Sequence, residues 1–190
     1  DAKAIGGLGD SFAELGNGSL WRMVNIGADG FPDVVFVGIP YPVLLMVVLA
    51  VAVSILLNRA TLGRHLYAVG SNLEAARLSG VNVQRVTLFA YVFSGLLAGL
   101  TGCVLMSRLV TAQPSEGLMY ELDAIAAAVI GGTSLTGGVG TISGTVIGAF
   151  VIGILRNGLN MAGVSAFTQQ ILIGLVILLA VWIDQMRHRK

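Results

Sequence analysis

AIAAAVIGGTSLTGGVGTISGTVIGAFVIGIL, residues 124–155, runs from Ala124 to Leu155 without one ionisable side chain. Three other stretches are equally clean: Val34 to Leu57, Val86 to Ser107, and Asn157 to Ile183, the last separated from the first only by Arg156. A charge near the centre of a bilayer costs roughly 2.5–3.5 kcal/mol on insertion scales. Charge-free runs of this length therefore mark membrane spans. The composition agrees, with 55% apolar and 11% charged residues, against about 25% charged in soluble domains. The chain is better counted in spans of about 20 residues than in soluble domains. The fold class expected is all-α, a polytopic transmembrane bundle forming one membrane domain over residues 1–190.

The polar segments give the topology. Residues 1–41 form the first, a segment expected to be an external loop. It is turn-rich and carries Asp1, Asp10, Glu14, Asp29 and Asp33 against Lys3 and Arg22. Pro40-Tyr41-Pro42 marks its end, because proline restricts the residue before it and suits a first helical turn. The first span is predicted from Pro42 to about Leu57. Residues 58–85 carry Arg59, Arg64, His65, Arg77 and Arg85 against Glu74. The positive-inside rule places this loop, and the basic tail at 185–190, in the cytoplasm.

Between these two basic segments the number of crossings must be even. Three are clear: about 86–107, 142–158 and 167–184. The fourth must come from Leu122 to Leu135, only about 21 Å as a helix against a core of about 30 Å. It is read as a short crossing extended by the glycine-rich segment Gly131 to Gly144, in preference to a re-entrant half-helix. That makes five crossings, one of them short and glycine-broken. Irregular backbone at membrane depth must be buried or line a wet cavity. Residues 121–144 are therefore the expected pathway-lining region.

Glycine spacing is the next feature. Gly95 and Gly99 form one G-x-x-x-G pair, and Gly140, Gly144 and Gly148 form two more. Such spacing lets helix backbones approach closely in lipid. Packing within the subunit is the simple reading; dimerisation or a moving interface is the other. The segment Gly131 to Gly140 is not a phosphate loop, since it lacks the Lys-Ser/Thr pair and follows no strand. Cys103 reads as a small packing residue.

Asn72-Leu-Glu-Ala-Ala-Arg-Leu-Ser-Gly80 reads as a short helix capped by Asn72 and ended by Gly80. It is either a solvated connector or a docking knob for a soluble partner. Pro114 and Gly117 make a turn leading to Glu121 and Asp123. Those acids either complement a helix N-terminus or touch a polar solute or its delivery protein. Asn157, Asn160 and Gln169 flank the last external turn, where Arg156 is expected to snorkel. They are interfacial or pathway-lining. No metal spacing, nucleophile–base arrangement or basic nucleic-acid tract is present. Neither a catalytic site nor a cofactor is expected.

The stretches Gly63-Arg-His-Leu-Tyr-Ala-Val-Gly-Ser-Asn72, Ala75 to Gly80, Ser94-Gly-Leu-Leu-Ala-Gly99, Gln113-Pro114, Tyr120 to Ala127, Gly131-Gly-Thr-Ser-Leu135 and Asn157-Gly-Leu-Asn160 carry a likeness. In this order they resemble the ribose-type sugar permeases of ABC importers, within the group that includes branched-chain amino-acid permeases. The resemblance implies an inner-membrane dimer that translocates a monosaccharide by alternating access. It implies a cytoplasmic ABC ATPase, a periplasmic solute-binding protein, a second permease copy and membrane lipid as partners. It assigns ATPase coupling to Asn72, Glu74, Ala75, Ala76, Arg77, Ser79 and Gly80. The pathway candidates are Gln113, Glu121, Asp123, Thr133, Ser134, Asn157 and Asn160. Family members are longer at the N-terminus, and the chain begins at Asp1 without a leader pattern, so a C-terminal fragment is expected. The rivals are a branched-chain amino-acid permease, an ATPase-independent secondary transporter and a membrane scaffold.

Overall fold

In the computed structural model, which describes residues 5–6, 9–20, 23–26, 32–36 and 38–188, helices dominate. They are α1 (Asp10–Asn17), α2 (Tyr41–Arg59), α3 (Thr61–Ser71), α4 (Leu73–Leu78), α5 (Val83–Leu109), α6 (Tyr120–Ile130), α7 (Ile142–Met161) and α8 (Ala166–His188). Six short strands, β1 (Ile5–Gly6), β2 (Ser19–Leu20), β3 (Met23–Ile26), β4 (Pro32–Phe36), β5 (Ile39–Pro40) and β6 (Thr111–Ala112), form three two-stranded antiparallel sheets. The chain is an all-α polytopic membrane protein. Three of its described helices, α2, α5 and α7, have the length and apolarity to cross a membrane. In α8 the apolar stretch is Ala166–Trp182. The four long spans expected from sequence fall on α2, α5, α7 and α8 within a few residues at each end.

The residues form two compact units. The first combines the described part of residues 1–49 with Tyr91–Gly117. Here the segment read as a turn-rich loop is folded. Strand β1 pairs with β6, β2 with β5, and β3 with β4. Helix α1 lies against the end of α5. The Asn17 side-chain amide donates to the Ser107 and Arg108 carbonyls, at 3.3 and 3.1 Å, and the Ser107 hydroxyl donates to the Phe12 carbonyl. The last carbonyls of a helix have no partner within it, so α1 supplies one from outside. Asp1, Lys3, Arg22 and Asp29 of the expected external loop, with Arg189 and Lys190 of the tail, lie outside the described residues.

The second unit combines Ala50–Ala90 with the rest of the chain from Leu118. Helix α6 has eleven residues, about 16 Å, and is too short to span alone. It ends at Ile130, and the chain turns through residues 131–141 into α7, which runs back antiparallel. A Cβ on Gly148 would meet the Ala127 carbonyl, and one on Gly144 the Gly131 carbonyl. Lipid gives helices no hydrophobic reason to associate, so close backbone approach and van der Waals contact must hold them. The core is correspondingly small: Ala126, Ile152 and Ile173 are buried, with Ile130, Leu155 and Ile177 packed around them. It joins α6, α7 and α8.

Gly95 and Gly99 behave differently. A Cβ on either would meet nothing within 4 Å, so the close packing expected there does not occur among the described residues. Cys103 is likewise exposed on α5 rather than packed.

Gly148→Val should lower stability by about 2 kcal/mol or more, read as a lower unfolding temperature of the protein in detergent. Gly174→Val, where a Cβ meets nothing, should leave that temperature within a degree or two of wild type. Equal shifts would refute the α6–α7 contact.

Candidate functional site

Two groups of residues stand out in the second unit. The first is α4. The Asn72 side chain accepts from the Ala75 amide at 3.0 Å and starts the helix. At its end the Gly80 amide donates to Arg77 and the Val81 amide to Ala76, at 3.0 and 3.1 Å. This paired closure is a Schellman motif and needs a left-handed residue after the cap; Gly80 supplies it with φ +83°. The helix is therefore fixed at both ends although it has only six residues. Ala76 is buried, whereas Asn72, Glu74, Ala75, Arg77, Ser79 and Gly80 are exposed. Leu78 is 85% exposed, an apolar side chain standing free on a polar knob.

Helix α3, which packs on α4, was not expected within the 58–85 loop. It has no side-chain cap and contains Gly63 and Gly70, so its sequence carries no strong start signal. Between α3, the residues after α4 and the first turns of α5 lies a cavity of about 370 Å³. Its lining includes Leu62, His65, Val81, Arg85 and Phe89.

The second group sits where α6 begins and α7 ends. Glu121 and Asp123 lie in the first turn of α6, as expected. Asp123 meets Arg156 in an ion pair at 2.8 Å, and the Arg156 guanidinium lies 5.7 Å from the Tyr120 ring centre. Arg156 is thus paired, not snorkelling freely. Beside it, Asn157, Asn160, Gln169 and Gln170 line a notch of about 540 Å³ between α7 and α8. The Gln169 side chain is anchored to the Val164 carbonyl at 2.8 Å. With the arginine neutralised by Asp123, the notch offers several amide donors and acceptors and little net charge. Such a surface suits an uncharged polar solute.

Within the second unit, two further candidates lie away from this notch. Thr133 and Ser134 lie in the turn at the other end of the hairpin, about 20 Å along α7. Ser134 is buried, its hydroxyl 2.8 Å from that of Thr136 and its amide on the Val139 carbonyl at 3.0 Å. Gln113 is exposed in a turn of the first unit, its carbonyl accepting from Glu116. The region 121–144 is therefore not one continuous lining.

Comparison with known proteins matches residues 4–181 to the branched-chain amino acid transport system / permease component family. The chain belongs to that family. It is 50% identical over 161 residues to the ribose import permease protein RbsC of Bacillus subtilis (strain 168), an overlap of 85% of this chain and 50% of the relative. It is 45% identical over 180 residues to the xylose transport system permease protein XylH of Escherichia coli (strain K12), covering 95% of this chain and 46% of that protein. The ribose import permease protein RbsC of Escherichia coli (strain K12) is 50% identical over 151 residues, covering 80% of this chain and 47% of the relative. The chain thus spans about half the length of these relatives. No solved structure matches it.

Removing the aspartate alone should be the worse of two changes at the ion pair. Asp123→Leu leaves an unpaired arginine and should cost about 1–3 kcal/mol, measured as the unfolding temperature of the full-length permease. The double variant Asp123→Leu with Arg156→Leu should recover most of that loss. No recovery would mean that the pair does not act as a unit.

Proposed function

We propose that this chain is the C-terminal part of the permease subunit of an ABC importer that moves a monosaccharide across the bacterial inner membrane. The observation that carries this reading is 45–50% identity to ribose and xylose permeases over 80–95% of the chain. The sugar is left at the class: both pentoses are represented among the relatives. Helix α4 is read as the docking helix for a cytoplasmic ATPase. Its capping fixes the backbone before any partner arrives, so little ordering entropy remains to oppose association. The exposed Leu78 is the apolar anchor that such a knob requires.

The sidedness follows from charge. The basic loop containing α3 and α4 is cytoplasmic. Tyr67 of α3 bonds to Gly140 in the α6–α7 turn, which supports that turn being on the same side. The chain leaves this side through α5, about 40 Å long, and must return through residues 110–130. This favours α6 as the irregular crossing, five crossings in all, and a cytoplasmic C-terminus. The amide notch then faces outward, where a solute-binding protein would release its cargo. Asn157 and Asn160 are the proposed first contacts for sugar hydroxyls, with Glu121 at the mouth. A second permease copy completes the importer.

The test is uptake into proteoliposomes holding the full-length permease with its ATPase and binding protein. ATP-dependent uptake of ribose or xylose, not competed by leucine or isoleucine, is expected. Uptake of a branched-chain amino acid, or uptake without ATP, would overturn the reading. In the same system Leu78→Asp should weaken copurification of the ATPase by about tenfold or more.

A further inference from the structure

The end of α3 and the turn between α6 and α7 meet backbone to backbone. A Cβ on Gly70 would lie 2.8 Å from the Gly138 amide nitrogen, one on Gly137 would strike the Gly70 carbonyl, and one on Gly138 would lie 2.8 Å from Ser71 Cα and Cβ. Gly137 and Gly138 have φ +93° and +78°, a region that other residues enter at a cost. The Tyr67 hydroxyl donates to the Gly140 carbonyl at 2.8 Å. The three glycines report one close approach of the two main chains, with no room for a side chain at those positions, and the Tyr67 bond is a second, separate contact.

We infer that this junction is a rigid strut between the docking helix and the α6–α7 hairpin, with Tyr67, Gly70, Gly137 and Gly138 as the residues that position it. The inference rests on reading α4 as the docking helix. Gly70 stands two residues before Asn72, the cap of α4. Gly140 stands one residue before Thr141, whose side chain caps α7 by accepting from the Gly144 amide at 3.2 Å. A displacement of α4 therefore reaches the first turn of α7 through main-chain contacts. Side chains can absorb a push by changing rotamer; close-packed main chain cannot, because interiors compress little. From α7 the push passes to α6 at Gly131 and Gly144, whose backbones touch. The hairpin carries the Asp123–Arg156 pair and the amide notch at its other end. Motion driven by the ATPase is thus delivered to the helices that border the outward notch.

A spatial path is not by itself evidence of coupling, so the test must read coupling directly. The complete reconstituted importer is compared as wild type, Tyr67→Phe and Gly70→Ala, with solute uptake and ATP hydrolysis measured on the same vesicles. Tyr67→Phe keeps the ring and removes one hydrogen bond. It should lower solute moved per ATP by about fivefold, with the ATPase still copurifying. Stimulation of ATP hydrolysis by the loaded binding protein should fall as well. Gly70→Ala should show the same pattern more strongly; should it fail to fold, Tyr67→Phe decides alone. Wild-type uptake per ATP and wild-type stimulation in Tyr67→Phe would overturn the strut. A uniform loss of both activities with loss of ATPase association would overturn it as well, since that is misfolding or failed docking. Leu78→Asp separates the two readings: if it leaves association intact, the docking assignment fails; if it breaks association while Tyr67→Phe stays fully coupled, only the strut fails.

Discussion

The backbone contact between α6 and α7, at Gly131, Gly144, Gly148 and Ala127, is the constraint on which the second unit depends. In a solvent as apolar as leucine, large side chains gain nothing by leaving it, and helices are held by how closely their main chains approach. Removing every side chain from one stripe of α7 allows the shortest approach. That approach sets the antiparallel register, and the register brings Asp123 beside Arg156 although they are thirty-three positions apart in sequence. A shift of one turn would separate the two charges. Thus the glycines and the ion pair specify the same alignment from opposite ends of the hairpin.

The sequence disclosed the membrane class and the long helices because charge exclusion is a property of single residues. It also disclosed α4, since Asn72 and Gly80 mark its ends chemically. Helix α3 escaped notice because Gly63 and Gly70 weaken its helical signature. Both glycines are there for contacts made elsewhere, with Leu57 and Gly138 respectively. The same spacing sets Gly144 and Gly148 against α6, while a Cβ on Gly95 or Gly99 would meet no described residue within 4 Å. A G-x-x-x-G pair states that a face is smooth, not what lies against it. Asn157, Asn160 and Gln169, which the sequence places beside the last turn, line the notch, while Tyr120 and Arg156 meet only through the hairpin register.

Residues 1–41 read as a loop because the described strands there are two to five residues long, and β1 pairs with β6 across more than a hundred residues, Ile5 with Ala112. No local pattern can announce pairing at that separation. The segment also meets the need of α5 for donors to its final carbonyls, supplied by the Asn17 side-chain amide.

The two ends of the α6–α7 hairpin differ in a way that bears on how such a unit can move. At the α3 end the main chains approach closely at Gly70, Gly137 and Gly138, and the Tyr67 hydroxyl ties α3 to Gly140. At the other end the contacts are made by long side chains, Arg156 with Asp123 and Tyr120. An ion pair between partly exposed groups of this kind contributes little stability and can be remade in another geometry at small cost. A lever with one stiff end and one adaptable end transmits displacement toward the adaptable end. The arrangement therefore favours motion starting at α3 and α4 and appearing as rearrangement around the amide notch.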